Sequence, residues 1–187
     1  METIKEIREQ ADERMQKVIE ATKRDFAAIR TGRANPAILD RVLVECYDAQ
    51  MPLNQVANIS APEARMILVQ PWDKSLLSAV ERAILKADLG FNPSNDGNTI
   101  RLVVPQLTEE RRRELVKVLK KDAEEKRIGV RNIRREANDN IKKLEKDSVI
   151  AEDDSKKALD DIQKLTDKYI GEIDQLTANK EQEVMEV

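Results

Sequence analysis

All six prolines of this 187-residue chain lie between residues 31 and 106, and their placement constrains the fold more than any other feature. The 76 residues of that stretch hold only 15 charged side chains, whereas the other 111 residues hold 54. Proline disrupts helix interiors, so long uninterrupted helices are expected only outside the stretch. The sequence therefore predicts a helical domain from residues 1–30 and 106–187, and a second domain inserted at residues 31–105.

In the outer segments, apolar side chains recur every three or four residues, which is the spacing of an amphipathic helix. The first helix is predicted from Ile4 to Ile29. The second begins at Thr108, whose hydroxyl can cap the first turn, and runs for roughly 40 residues. The third opens at the acidic run 152–154. None of the three can bury its apolar stripe alone, so we predict an elongated antiparallel three-helix bundle within a monomer, rather than an oligomeric coiled coil.

The inserted segment follows a different pattern. Short runs rich in β-branched residues, bounded by Pro, Gly and Asn, predict strands, and a 3.6-residue period predicts one helix that Asp73 caps. The predicted strands are residues 41–47, 56–60, 65–70 and 100–104, and the predicted helix is 73–88. The fold class is therefore α+β, with a small β/α/β unit inserted into the bundle. Two short crossings that contain Gly or Pro join the domains and predict a hinge.

The chain has no histidine and one cysteine, Cys46, which together exclude several kinds of catalytic site. An imidazole base, a Cys-His couple and a zinc site of His or paired Cys are all ruled out, and no glycine-rich phosphate loop is present. We therefore predict that the protein is not an enzyme and uses no metal or cofactor. Cys46 is interpreted as a packing residue, and for Trp72 a core or hinge-packing role is favoured over an exposed contact point. With no signal peptide and no apolar span, a cytoplasmic protein without a membrane partner is expected.

Charge is distributed unevenly along the two long C-terminal helices. Residues 111–135 carry a balance of +7, and residues 136–187 a balance of −7. On a helical projection, one side of the second helix's apolar stripe collects bases. These bases are Arg113, Lys117, Lys120, Arg127, Arg131 and Arg134. Such a face suits the phosphates of structured RNA, but the same bases could pair with acids of neighbouring helices, as in a coiled-coil adaptor with no RNA role. The pattern alone leaves both readings open.

Several sequence segments, in this order, resemble ribosome recycling factor. They are I-R-T-G-R-A-N-P at 29–36, D-L-G-F-N-P at 88–93, L-T-E-E-R-R-R-E-L-V-K at 107–117, V-R-N-I-R-R-E-A-N-D at 130–139 and Q-K-L-T-D at 163–167. The resemblance covers nearly the whole chain. It implies an L-shaped, two-domain translation factor that releases and recycles ribosomes from mRNA after termination, acting with elongation factor G to split the post-termination ribosome.

The resemblance also implies site residues and partners. The RNA-contacting arginines of the family fall on Arg112, Arg131 and Arg134, and the last two also lie on the basic face together with Arg127. The implied partners are elongation factor G and the ribosomal RNA of the large ribosomal subunit. The family's hinge falls on Arg30, Thr31, Gly32, Arg33, Pro105, Gln106 and Leu107. One departure is the segment E-C-Y-D at 45–48, where the family more often has two aromatic residues followed by glycine.

Overall fold

The computed structural model describes residues 2–90 and 92–186, which divide into two compact units. The helical unit runs to Arg30 and resumes from Arg112 to Met185, and the smaller unit is mainly Thr31 to Arg111. The helices are α1 (Ile4–Ala27), α2 (Leu77–Lys86), α3 (Glu109–Lys146) and α4 (Glu152–Met185). The strands are β1 (Leu43–Cys46), β2 (Ala49–Pro52), β3 (Ala57–Glu63), β4 (Met66–Pro71), β5 (Pro93–Asn95) and β6 (Ile100–Val103).

Two of the long helices, α1 and α3, begin at capping residues. Thr3 and Glu6 form a reciprocal capping box at α1, in which each side chain accepts a hydrogen bond from the other residue's backbone N–H. At α3, the Thr108 hydroxyl accepts from the Arg111 backbone N–H at 3.1 Å, as the sequence predicted. The turn between α3 and α4 closes through Ser148, whose φ of 57° reverses the chain. Both ends of this turn therefore match the predicted helix boundaries.

The core of the helical unit is the shared apolar stripe of α1, α3 and α4. Its fully buried side chains include Met15, Leu119, Val130, Ile162 and Ile173. In α1, apolar spacing does not separate Ile19, which is buried, from its neighbour Val18, which is only partly buried. Sequence periodicity also overlooked two buried threonines of α4.

The buried threonines can occupy the core because each satisfies its hydroxyl within its own helix. Thr166 donates to the Ile162 carbonyl at 2.8 Å, and Thr177 donates to the Ile173 carbonyl at 2.7 Å. Because each hydroxyl keeps a hydrogen bond, its burial costs little free energy, and the methyl group packs like that of valine. An apolar-only pattern does not detect such positions.

Two polar contacts fix α1 on its neighbours. The Tyr169 hydroxyl of α4 donates to Asp12 of α1, and Tyr169 is only 4% exposed. On the other side, the Lys126 ammonium of α3 lies 2.6 Å from Asp25 of α1. Because both contacts join helices far apart in sequence, they fix how α1 aligns against α3 and α4 as well as adding stability.

The smaller unit contains more strands than the sequence indicated. A four-stranded antiparallel sheet has the order β3-β4-β6-β5, and β1 and β2 form a separate hairpin that packs against α2. The sequence analysis missed β2 and β5, which are only four and three residues long and each contain a proline. Cys46 is buried in this core, as predicted.

The packing role assigned to Trp72 was wrong, because its side chain is 67% exposed. Side chains at the end of β4 alternate in and out of the core, with Val69 and Pro71 buried and Gln70 and Trp72 exposed. The alternation of a strand therefore turns the indole outward. None of the helices in the described part of the chain combines the length and apolar content that a membrane crossing needs.

Replacing Tyr169 by phenylalanine should lower the free energy of unfolding of the helical unit by about 1–2 kcal/mol, because a buried hydrogen bond to a carboxylate is lost. Burial and the bond to Asp12 raise the pKa of Tyr169 from 10.0 to about 12. A raised tyrosine pKa contributes stability that is complete below pH 10 and is lost as pH rises from 10 to 12. Urea titrations followed by circular dichroism would measure both effects.

The matched control for this prediction is Tyr47→Phe, which also removes a hydroxyl bound to a carboxylate, that of Asp73, but at an exposed position, and should change stability by no more than about 0.5 kcal/mol. Equal stability losses in the two variants, or an unchanged alkaline profile in Tyr169→Phe, would contradict the role of the buried pair.

Candidate nucleic-acid interface

Arg127, Arg131 and Arg134 lie at intervals of four and three residues on α3, so the helix places them on one face. We call these three residues the arginine face. Val130 and Ile133 occupy the neighbouring buried positions and seat the helix on the core. The guanidinium groups therefore emerge at the edge of the packed stripe, where the structure decides how far each one is neutralised.

Arg127 is neutralised within the helical unit. Its Nε lies 2.7 Å from Asp174 of α4, its Nη1 lies 3.1 Å from Glu124, and its side chain is only 23% exposed. Lys120 similarly reaches Glu181 of α4 at 3.6 Å. At these positions the bases pair internally, as the adaptor reading of the charge pattern expected.

Arg131 has a weaker internal partner. Its Nη1 lies 3.2 Å from Glu124, a carboxylate that it shares with Arg127, and its side chain is 39% exposed. Because Arg127 also binds Asp174, Glu124 is divided between two arginines, and Arg131 has no carboxylate of its own. Arg131 is accordingly closer to a surface cation than Arg127 is.

Arg134 has no carboxylate partner among the described residues. Its Nη1 donates to the neutral amide oxygen of Gln163 on α4 at 3.2 Å, and its buried Nε has no hydrogen-bond partner. Gln163 is oriented in turn because its amide nitrogen donates to Asp167 at 2.9 Å. The guanidinium is thus held in place without being neutralised, which is the condition that favours binding of an external anion.

Gln163 is the member of the site that the charge pattern did not reveal. A neutral residue carries no signal in a search for bases, although it belongs to the Q-K-L-T-D segment of the family resemblance. Only the packing of α4 against α3 brings it to Arg134. The sequence therefore contained the residue within a recognised segment, but nothing in the sequence indicated that Gln163 contacts an arginine.

Arg112 lies away from the arginine face. It is only 8% exposed in the first turn of α3, and its Nε is buried without a hydrogen-bond partner. Its helical angle already placed it near the apolar stripe. In this structure the Arg112 side chain is therefore not presented as a surface cation.

The predicted hinge residues lie in irregular segments between α1 and β1 and between β6 and α3. On the side of the smaller unit, both segments are attached to the turn between β3 and β4. Ala34 donates a backbone hydrogen bond to Ala64 at 2.7 Å, and Val104 donates one to Arg65 at 2.8 Å. The Arg65 guanidinium also donates to Gln106 at 3.3 Å. One turn thereby fixes the ends of both crossings.

Gly32 lies beside the second crossing. A Cβ atom added there would lie 4.0 Å from the Leu107 backbone nitrogen, an ordinary contact distance. The position therefore has room for a small side chain. Within residues 2–90 and 92–186, no group of three acidic or cysteine side chains could hold a metal ion.

Comparison with known proteins gives a consistent result. Residues 22–185 match a family model described as ribosome recycling factor. The ribosome-recycling factor of Syntrophomonas wolfei is 58% identical over 98% of this chain and 100% of its own length. That of Bacillus subtilis is 55% identical over 98% of this chain and 99% of its own.

Two solved structures are also similar. A solution structure of the ribosome recycling factor has a TM-score of 0.81 and 45% identity, with both chains fully covered. A model of the T. thermophilus ribosome recycling factor and E. coli elongation factor G bound to the E. coli post-termination complex has a TM-score of 0.67 and 48% identity. It covers 98% of this chain and 99% of that one.

The different partners of the arginines predict different effects on stability. Arg127→Gln should lower the free energy of unfolding by about 1 kcal/mol, because a half-buried ion-pair network between α3 and α4 is lost. Arg134→Gln should change it by less than about 0.5 kcal/mol, because no ion pair is broken. Urea titration of both variants gives the comparison, and a larger loss for Arg134→Gln would contradict the assignment of partners.

Proposed function

The chain belongs to the ribosome recycling factor family, and we propose that it recycles post-termination ribosomes with elongation factor G by binding large-subunit ribosomal RNA through its arginine face. Family membership argues against a coiled-coil adaptor without an RNA role. The observation that supports this use of the arginine face is Arg134, a positioned guanidinium whose internal partner is a neutral amide.

The three arginines contribute unequally to the proposed interface. Arg134 offers an un-neutralised fork of donors, and Arg131 offers a half-exposed one beside a shared carboxylate. Arg127 mainly holds α4 against α3 and orients Glu124. Arg112 is buried, so its contribution to RNA binding requires its side chain to turn outward. We therefore rank Arg134 first, then Arg131, with Arg127 as a supporting residue.

The chemistry of α3 also indicates which part of an RNA it binds. The helix contains no aromatic residue on which an unstacked base could lie. Guanidinium groups on a rigid helix recognise phosphates by paired hydrogen bonds and charge. The proposed contact is therefore with the phosphate backbone of folded RNA, and its affinity should decrease as salt concentration rises.

The proposed role is mechanical, and the factor works in the cytoplasm as a monomer without catalysing a reaction. The arginine face would hold the helical unit on the large subunit while elongation factor G displaces the smaller unit. The proposed hinge comprises Arg30–Arg33 and Pro105–Leu107. Because the turn between β3 and β4 fixes both crossings, a force on the smaller unit reaches both at once.

Arg134→Gln should weaken binding to purified large ribosomal subunits by about 1–3 kcal/mol, as expected for loss of a charge-assisted contact. Arg135→Gln is the matched control, since it removes the same charge from the same helix at an exposed position, where Nη1 donates to Asn132 Oδ1 at 3.5 Å. Co-sedimentation across a salt series measures both variants.

Equal binding by Arg134→Gln and the unmodified chain would contradict the proposed interface, provided that the circular dichroism spectra agree. Equal losses in Arg134→Gln and Arg135→Gln would show that total charge, rather than the arginine face, determines binding.

The hinge is tested by two substitutions at Gly32. Gly32→Pro should slow splitting of post-termination ribosomes by about fivefold or more, because proline fixes φ and restricts the preceding residue. Gly32→Ala should retain the normal rate, since a Cβ atom fits there. Light scattering with elongation factor G and GTP measures splitting, and co-sedimentation checks that binding is unchanged. Equal splitting rates in the two variants would argue against a hinge at Gly32.

A further inference from the structure

Among the described residues, two aromatic side chains are exposed on the smaller unit. Tyr47 is 73% exposed at the turn between β1 and β2, and Trp72 is 67% exposed just after β4. Phe26 and Tyr169 of the helical unit are, by contrast, only 4% exposed. Large exposed aromatic side chains often indicate an interaction surface, and here neither ring serves the core.

Tyr47 is joined by a hydrogen bond to Asp73, the residue that follows Trp72. The Tyr47 hydroxyl donates to Asp73 Oδ2 at 2.8 Å. The other oxygen, Asp73 Oδ1, accepts from the backbone and the hydroxyl of Ser75. The Trp72 backbone is fixed as well, because its N–H donates to the Val56 carbonyl at 3.1 Å. The positions of both residues are thus defined by hydrogen bonds.

The turn that presents Tyr47 adopts an unusual backbone conformation. Tyr47 has a φ of 52° and Asp48 a φ of 60°, in the left-handed region that favours glycine and asparagine. This geometry matches the twist of a two-residue hairpin but is unfavourable for a tyrosine. The hydrogen bond from Tyr47 to Asp73 opposes relaxation of the turn. Strain that is retained at an exposed position is typical of binding sites.

The charges around the two rings are mainly acidic. In the segments 45–50 and 72–75, Glu45, Asp48 and Asp73 oppose a single base, Lys74, which gives a formal charge of −2. The residues of the hairpin turn border a concave space of about 490 Å³ that contains two carboxylates and no base. Hydrogen bonds from Ser75 and Tyr47 lower the pKa of Asp73, so this carboxylate is charged at neutral pH.

We propose that Tyr47 and Trp72, with Asp48 and Asp73, form a surface that binds an arginine- or lysine-bearing segment of a partner protein. We call these four residues the Tyr47–Trp72 surface. A cation is attracted to the face of an aromatic ring and to the adjacent carboxylates at once. RNA is the disfavoured occupant, because its phosphates would be repelled by the acids even if a base stacked on a ring.

Trp72 is the only tryptophan of the chain, so tryptophan fluorescence reports on this surface alone. The full-length protein is titrated with a capped hexapeptide of alternating arginine and glycine, at low and high salt. The two control ligands are the same peptide with glutamate in place of arginine, and hexauridylate. We expect a saturable change of Trp72 emission only with the arginine peptide, and weaker binding at high salt. No saturable change, or an equal change with either control ligand, would overturn the proposal.

Single substitutions show which side chains of the Tyr47–Trp72 surface contribute to binding of the arginine peptide. Asp73→Asn keeps a residue that can cap the following turn but removes the charge, and Tyr47→Ala removes the ring. Each should weaken binding of the arginine peptide by about two- to fivefold, as expected for loss of one exposed cation–π or charge contact. Glu63→Gln removes an exposed acid elsewhere in the same unit and should have no effect.

A fluorescein-labelled arginine peptide followed by anisotropy extends the test to Trp72→Ala, which lacks the fluorescence signal. Losses of equal size in Glu63→Gln and Asp73→Asn would contradict a local site and indicate general electrostatic attraction. Because neither assay contains ribosomes, failure here is independent of whether the arginine face binds ribosomal RNA.

Discussion

The structure of the helical unit depends on burial of the apolar stripe of α3 between α1 and α4. A helix of 38 residues with so many charges has little reason to persist alone, and packing supplies most of its stability. Leu119 and Val130 are fully buried on this stripe, and their position fixes the rotation of the helix about its axis. That rotation in turn decides which arginines face solvent and which face α4.

Packing also decides how strongly each charge is neutralised. Arg127 and Arg134 are chemically identical and share a face, yet α4 offers Asp174 to the first and Gln163 to the second. The pair of helices α3 and α4 therefore contains a structural ion pair at Arg127 and a positioned charge without an ionic partner at Arg134. Internal pairing therefore accounts for Arg127, whereas Arg134 keeps its charge for the RNA contact that we propose. A neutral amide at position 163 is what separates a surface suited to anions from a self-neutralised bundle.

Much of the fold follows from local rules. The proline-free stripes predicted three long helices, and Thr108 marked the start of α3 correctly, because caps and periodicity act over a few residues. The short strands β2 and β5 were missed, because each is only three or four residues long, contains a proline and forms only by pairing with the adjacent strand of its hairpin. Trp72 was also misjudged: its hydrophobicity favours burial, but it directly follows β4 and continues the alternation in which Val69 and Pro71 are buried and Gln70 is exposed. For the site, the arginine positions were predictable, whereas the partners of those arginines were not.

By itself, the sequence determined the helical periodicity, the inserted unit, the absence of imidazole and zinc chemistry, and the concentration of positive charge on α3. These properties depend on residue type and spacing alone. Only the tertiary structure decided that Arg134 lies against Gln163 and that Arg112 is buried. It also decided that Tyr47 and Trp72 are exposed and that the Tyr47 hydroxyl binds Asp73. Each of these facts joins residues whose proximity or exposure arises only when separate elements pack, so no local pattern in the chain could specify it.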